Sequence, residues 1–261
     1  MRRDRKTNRI DEERLSNQGY LMRIVTYIDC RNIIIEFQDT YKAKVHTSYD
    51  SFIKGQVKNP YATTVCGVGI IGNKYPATIN RVAIKEYDTW RHMLARCYDK
   101  KYKNEHPTYK DAICCSEWLN YENFYEWLHS QENFDKWLKL DKSSLDKDIL
   151  IKGNKLYSSD TCCLVPHNVN SLFTKRDNDR GDYPIGIHKK NDKFIVQCNN
   201  PFTNKRMCLS DNCQTVEEAF IIYKNYKEDI IKKVAKIEYN KGNITKECYE
   251  AMIKYQIEIT D

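Results

Sequence analysis

The 261-residue sequence has little glycine (9) and proline (6), and it contains no long apolar run. No segment approaches the roughly 20 consecutive apolar residues of a membrane-spanning helix. The first residues, MRRDRKTNRIDEERL, are charged and no apolar stretch follows them, which does not match a secretory signal peptide. Gly67, Gly69 and Gly72 lie close together, but no Gly-Lys-Ser/Thr follows them. The sequence therefore predicts neither a membrane protein nor a phosphate-loop enzyme. It predicts a cytoplasmic protein.

The 11 cysteines lack the spacing of a metal site. Two adjacent pairs occur, Cys114–Cys115 and Cys162–Cys163, but no Cys-x-x-Cys is present and the number is odd. A disulfide framework is typical of small secreted domains, and a zinc ribbon needs paired ligands at short spacing. The sequence therefore predicts reduced, mostly buried thiols in a cytosolic protein.

The charge is mildly basic, with 43 Lys and Arg against 36 Asp and Glu, which gives a net charge of +7. The sequence pI near 8.7 is compatible with a nucleic-acid partner but lies below the value of about 9 that is typical of such domains. The chain length suits about two domains. Composition alone therefore gives only weak support for nucleic-acid binding.

The apolar pattern along the chain predicts an α+β protein of several modules. β-Branched runs at 22–28 and 33–37 indicate strands, apolar residues at three- and four-residue steps indicate a helix at 86–98, and Thr215 with Glu218 forms a capping box. The predicted segments are a flexible arm at 1–18, a small β-rich module at 19–80, a helical block leading into a ββα unit at 81–174, a three-stranded antiparallel sheet packed on one helix at 183–238, and a tail at 239–261.

All four tryptophans lie in the helical block, at helical spacing. We expect them to form the core of a small helical domain rather than to stack on bases. The ββα unit is predicted as a strand at 145–150, a turn at 152–154, a strand at 162–165 and a helix at 166–173, followed by a polar linker at 174–182.

Residues 86–173 resemble HNH-type proteins of phages and mobile elements. That group carries a W-x-x-M-x-x-R-C motif, a C-x-E-W…F…W segment and an L-D-[RK]…Y-S…C…N segment. The matching residues here are Trp90, Met93, Arg96, Cys97, Cys115, Glu117, Trp118, Phe124, Trp127, Leu145, Asp146, Lys147, Tyr157, Ser158, Cys162 or Cys163, and Asn168 or Asn170.

The resemblance implies a nuclease site with one divalent metal ion, Mg²⁺ or Mn²⁺. Asp146 stands at the position of the metal-binding carboxylate, and Asn168 or Asn170 would supply the ligand from the helix. A histidine normally activates the attacking water at the position that Lys147 occupies here. Lysine is a cation at neutral pH and a poor base, although it could neutralise a phosphate. His167 could replace the missing base, and a ββα unit that no longer cuts is the alternative.

Residues 183–235 resemble the DNA-binding domain of plant ethylene-response factors, the apetala-two domain. The matching residues are Gly186, Ile187, Lys193, Phe194, Val196, Lys205, Arg206, Leu209, Thr215, Glu217, Glu218, Ala219, Phe220 and Tyr223. The chain departs from that family where it lacks the tryptophans of the sheet and has Ser210-Asp211-Asn212 at the usual turn. The resemblance implies that the sheet lies in the major groove of double-stranded DNA.

Period-two alternation puts Phe194, Val196 and Cys198 on one face of the predicted sheet. The opposite face, together with flanking basic residues, offers groups that bind phosphates, guanine or adenine. The candidate DNA-binding residues are Lys189, Lys190, Lys193, Gln197, Asn199 and Arg206. A solvated polar face without a partner is the alternative.

The sequence thus predicts a cytoplasmic DNA-binding protein similar to phage HNH homing endonucleases, with double-stranded DNA as its partner and a divalent metal only if it cleaves. Residues 24–60 match a small module of the same phage proteins, for which the sequence suggests no mechanism. Two other functions remain open. One is a DNA-binding regulator that does not cleave, and the other is a protein-interaction factor such as a phage counter-defence protein.

Overall fold

The computed structural model describes residues 9–174 and 182–260, which form two compact units. Unit 1 contains Met1–Lys110 and Cys114–Glu126, and unit 2 contains Asp111–Ile113 and Trp127–Asp261. The division between the units lies inside the predicted segment 81–174 and not at its ends. Most of the predicted linker at 174–182 lies outside the described residues.

Both units combine helices with strands, so the predicted α+β class is confirmed. The helices are α1 (Tyr49–Ile53), α2 (Lys85–Tyr98), α3 (Lys100–Glu105), α4 (Tyr121–Ser130), α5 (Phe134–Lys139), α6 (His167–Phe173), α7 (Val216–Asn240) and α8 (Lys246–Lys254). The strands are β1 (Glu13–Leu15), β2 (Leu21–Asp29), β3 (Asn32–Phe37), β4 (Lys44–Thr47), β5 (Thr63–Val65), β6 (Gly69–Ile70), β7 (Thr78–Ile79), β8 (Val82–Ala83), β9 (Ile113–Cys114), β10 (Ser143–Asp146), β11 (Leu156–Tyr157), β12 (Cys163–Pro166), β13 (Ile187–Lys190), β14 (Lys193–Asn200) and β15 (Lys205–Cys213). Among these helices none is both long enough and apolar enough to cross a membrane.

Unit 1 begins with a four-stranded antiparallel sheet in the order β1-β2-β3-β4. In β3, every second side chain is buried, namely Ile33, Ile35 and Phe37. Successive residues of a strand point to opposite faces, so this alternation gives the sheet one apolar face. Phe52 of α1 belongs to the same core, which explains why the short helix follows the sheet.

The prediction of a flexible arm at 1–18 is wrong for residues 9–18, which the structure describes. Glu13–Leu15 forms strand β1, in which Glu13 pairs with Arg23 and Leu15 with Leu21. The Glu13 and Arg23 side chains also form an ion pair at 2.7 Å. All three β1 residues are exposed. An edge strand with two exposed faces needs no apolar alternation, and for this reason the sequence pattern did not reveal it.

The four tryptophans are divided between the two compact units. Trp90 and Trp118 are buried in unit 1, where the Trp90 indole Nε1 donates to the Trp118 carbonyl at 2.7 Å. Trp127 and Trp137 belong to unit 2. Helical spacing shows which side of a helix is apolar but not which element covers that side, so the expected single helical domain differs from the observed arrangement.

Unit 2 contains the predicted ββα unit. Strands β10 and β12 pair in antiparallel orientation, and α6 begins directly after β12. The first strand ends at Asp146, earlier than the predicted 150. Pro166 is the residue that precedes the helix rather than its first residue. Its fixed φ and missing N–H suit this position at a helix start.

The C-terminal sheet, in the order β13-β14-β15, packs with one face on α7, as predicted. Gly186 permits close contact there, because a Cβ atom would lie 2.4 Å from the Tyr223 ring. One apolar core joins this sheet to the ββα unit. Its buried members include Val165 and Val169 from the ββα unit, Val196 from the sheet and Ile231 from α7.

Candidate metal centre and candidate nucleic-acid interface

Asp146 lies at the end of β10, where the chain turns out of the strand. Its Oδ1 accepts hydrogen bonds from the backbone N–H groups of Asp148 and Ile149, both at 2.8 Å. Burial raises the pKa of the Asp146 carboxyl, and the neighbouring Asp148 charge adds to this effect. The carboxyl group therefore caps a turn through one of its two oxygens.

Lys147 is buried, with 6% of its surface exposed, and its ammonium group has a full set of partners. Nζ donates to both carboxylate oxygens of Asp148, at 2.9 and 3.0 Å, and to the Asn154 carbonyl at 3.0 Å. It also lies 5.8 Å from the centre of the Tyr157 ring. The N–H donors of this ammonium group are all engaged inside the protein, so the side chain is not available to a substrate.

His167 lies at the other end of the strand pair from Asp146. Asp146 is paired with Cys163, whereas His167 follows Pro166, which is paired with Ser143. Four residues of β-strand cover about 13 Å, so the backbone positions of the two candidate catalytic residues are far apart. The His167 side chain is exposed. The register therefore does not bring the substitute base to the carboxylate.

The two candidate asparagine ligands lie on α6. The Asn168 side-chain amide donates to Glu238 Oε1 of α7 at 3.3 Å. Glu238 is buried and also accepts from Asn243 Nδ2 at 2.6 Å and from Lys241 Nζ at 3.1 Å. Asn168 thus takes part in a structural network between α6 and α7. Asn170 is partly exposed, and its carbonyl accepts from the Thr174 hydroxyl at 3.3 Å.

These residues do not fit a divalent metal ion. A metal needs several donors within roughly 2.0–2.6 Å of one point. Instead, one Asp146 oxygen is held by the backbone, His167 is distant along the strand and the Asn168 amide is bonded to Glu238. Within residues 9–174 and 182–260, no group of three His, Cys, Asp or Glu side chains could hold a metal ion.

The cysteines near the ββα unit are packed rather than reactive. A hydrogen bond with Cys248, together with burial, raises the pKa of the Cys163 thiol, and burial raises the pKa of Cys162. A raised pKa keeps a thiol protonated and unreactive. All 11 cysteines are free. Most of them are buried, as the sequence predicts.

The C-terminal sheet has the two faces that the sequence predicts. In β14, Val196 and Cys198 are buried in the core, and Phe194 packs against it. The alternating residues Lys193, Ile195, Gln197 and Asn199 are exposed or partly exposed on the other side. The helix that packs extensively on this sheet, α7, contacts all three strands, and the core residues place it on the face opposite to these side chains.

The β13–β14 hairpin fixes the positions of the basic residues. Asn191 and Asp192 form its two-residue turn and both have positive φ, 49° and 61°, as in a type I′ turn. The turn sets Lys190 opposite Lys193, and Lys189 opposite Phe194. Directly opposed residues point to the same face, so Lys189 lies on the helix-covered side. This position corrects the prediction that groups Lys189 with the other DNA-binding candidates.

The register defines a set of residues that we call the open sheet face. Arg206 joins it because it is paired with Asn199, and Cys208 because it is paired with Gln197. His188 was missed, although the Asn-Asp turn could have placed it opposite Ile195. The open sheet face consists of His188, Lys190, Lys193, Ile195, Gln197, Asn199, Arg206 and Cys208.

The open sheet face is positively charged. At its paired positions it has three cations and no carboxylate, and the exposed Asp211 lies in the part of β15 where the register shifts. Within the described residues, Lys190, Lys193 and Arg206 form no ion pair, whereas Lys189 pairs with Asp192 at 3.1 Å. Like charges directly opposite each other in a sheet are destabilising. The opposed pair Lys190 and Lys193 therefore favours an anionic partner at this surface.

Comparison with known proteins gives no guide to either site. No family model, no curated protein and no solved structure matches the chain.

Proposed function

We propose that the chain binds double-stranded DNA through the open sheet face and does not cleave it. The observation that carries this proposal is the positive charge of that face, whose three cations form no ion pair within the described residues. Three cations and two side-chain amides lie on one side of a sheet whose other side is packed on α7. Lys and Arg bind phosphates, and Gln and Asn can form paired hydrogen bonds with adenine.

The dimensions of the sheet suit the major groove. Neighbouring strands lie about 4.8 Å apart, so the axes of β13 and β15 are about 10 Å apart. The major groove of B-DNA is about 12 Å wide. A three-stranded sheet that presents one polar face can therefore enter the groove.

The absence of cleavage rests on the ββα unit. Lys147 is committed to Asp148 and Asn154, and His167 and Asp146 lie at opposite ends of the strand pair. A hydrolytic reaction needs a base and a polarising group at one phosphodiester. The ββα unit therefore serves as a structural support.

We also propose that the protein works in a reducing compartment such as the cytoplasm, because its cysteines are free.

Binding can be tested by fluorescence anisotropy with a library of DNA duplexes. The test variant is K190A/K193A/R206A, and the matched control is K232A/K236A/K254A, which removes three exposed charges from α7 and α8. Three phosphate contacts predict an affinity loss of about 40-fold between 50 and 200 mM salt. We expect the test variant to lose this salt dependence and the control to keep it. Salt-independent retention of the wild type would instead favour a protein-interaction factor.

Cleavage can be tested by incubating the same duplexes with Mg²⁺ or Mn²⁺. We expect intact DNA from the wild type and from D146A alike. Cutting by the wild type that is absent in D146A would refute the non-cleaving part of the proposal and restore the nuclease prediction.

A further inference from the structure

Unit 2 contains an apolar cleft that the proposed DNA interface does not use. Its cavity volume is about 30 Å³, and the cleft is open to solvent. We call it the Lys227 cleft, because this residue supplies the one charged side chain among those that line it. Its apolar wall is formed mainly by Leu172, Phe173, Ile185, Tyr255 and Ile257. Sites for small organic ligands have apolar walls of this kind.

The Lys227 ammonium forms no hydrogen bond and no ion pair among the described residues, although it interacts electrostatically with the buried Cys198 thiol. Its neighbour on the same helix, Lys224, pairs with Glu228 at 3.0 Å and donates to the Ile257 carbonyl at 2.6 Å. Glu228 in turn accepts from the Ile257 N–H at 2.9 Å. The nearby carboxylate is therefore engaged with Lys224 and the C-terminal segment. Lys227 is left as a partly buried cation beside apolar side chains.

This arrangement is costly for the free protein. Burial lowers the pKa of Lys227, since a low-dielectric surrounding disfavours the charged form. A buried charge without a counter-ion destabilises the fold, whereas an anion that enters the cleft would offset that cost. The apolar wall would at the same time favour a ligand with an apolar body over inorganic phosphate.

We propose that the Lys227 cleft binds a small monocarboxylate with an apolar body. The carboxylate lies at the Lys227 ammonium, and the body of the ligand packs against Phe173, Ile185 and Ile257. Benzoate and hexanoate are compounds of this class. Such a site is distinct from the open sheet face, so its failure would leave the DNA-binding proposal untouched.

The test measures thermal unfolding of the full chain with millimolar benzoate or with benzyl alcohol, its neutral analogue. We expect benzoate to raise the Tm of the wild type in a saturable way, and benzyl alcohol to have a much smaller effect. K227M keeps the length of the side chain but removes its charge, and it should weaken benzoate binding at least tenfold. K236M removes an exposed charge from the same helix and should behave as the wild type.

Two further results separate the proposal from its alternatives. Without ligand, K227M should have an equal or higher Tm than the wild type, because the unpaired charge is gone. A lower Tm would indicate that Lys227 serves the fold, and equal shifts by benzoate and benzyl alcohol would exclude a carboxylate site.

Discussion

The ββα unit and the C-terminal sheet share one core but use their cations in opposite ways. Lys147 is buried and donates to Asp148 and to a backbone carbonyl, so its charge is satisfied inside the protein. Lys190 and Arg206 are exposed and have no carboxylate partner among the described residues. A cation that already has its partners stabilises the fold, and a cation without them is available to a ligand. The position of lysine in a motif does not distinguish these two cases, whereas its hydrogen bonds do.

The largest expected effect is that of K147A on stability. The substitution leaves Asp148 and the Asn154 carbonyl without their donor and removes the packed aliphatic stem. We expect a loss of about 2–3 kcal/mol in the free energy of unfolding, typical of hydrogen bonds to a charged group. Urea unfolding at pH 7 measures it. DNA binding by the folded fraction should stay unchanged, and lost binding with intact stability would contradict a structural role.

The next effect concerns two adjacent lysines on opposite faces. K190A removes a cation from the open sheet face. By counterion release, one phosphate contact makes binding at 0.1 M salt about eightfold tighter than at 1 M salt. K189A removes a cation from the helix-covered side. We expect about eightfold weaker DNA binding for K190A and little change for K189A, measured by anisotropy. Equal losses would mean that the lysines act through net charge alone.

A smaller effect separates the α6 residues. N168A removes a hydrogen bond to the buried Glu238, which costs about 1 kcal/mol of stability because Glu238 keeps two other donors. H167A changes an exposed side chain and should stay within about 0.5 kcal/mol of the wild type. Thermal unfolding provides the measurement. In a working nuclease, H167A would instead abolish cleavage.

The smallest effect is the pH dependence of D146N. The pKa of Asp146 is raised in the folded protein, so the folded state disfavours the ionised form. The stability that the protonated Asp146 contributes is complete below the pKa of this carboxyl in the unfolded chain. It is lost as the pH rises through the pKa of the same carboxyl in the folded protein. The Asn side chain keeps an oxygen that can accept the two backbone N–H groups. Relative to the wild type, D146N should therefore gain stability between pH 4 and pH 7, as urea unfolding at both values can show.

Alternation and capping in the sequence were sufficient to predict the α+β class, the faces of β14 and the start of α7. The Thr215 hydroxyl accepts from the Glu218 N–H at 3.1 Å, as the capping box predicts. Strand β1 was missed because an exposed edge leaves no apolar pattern. Lys189 was misplaced because the Asn191-Asp192 turn was not used to set the register.

The candidate metal centre depended on contacts that are remote in sequence. The hydrogen bond between the Asn168 and Glu238 side chains joins residues that are 70 positions apart, and no local sequence pattern indicates it. The partners of Lys147 are closer, but whether a lysine beside a strand end points inward is decided by packing. A motif match can therefore suggest a nuclease fold while leaving open whether its ligands converge.

The core shared by the ββα unit and the C-terminal sheet limits which segments of this chain could be deleted or exchanged. Val169 of the ββα unit and Val196 of the sheet are buried in one cluster with α7, and α8 completes it through Met252. A fragment that contained only the sheet and its helix would expose part of this apolar surface to water. Deletion or exchange of either segment by recombination would therefore tend to yield an aggregating product. The two segments therefore share one apolar core that neither could keep buried alone.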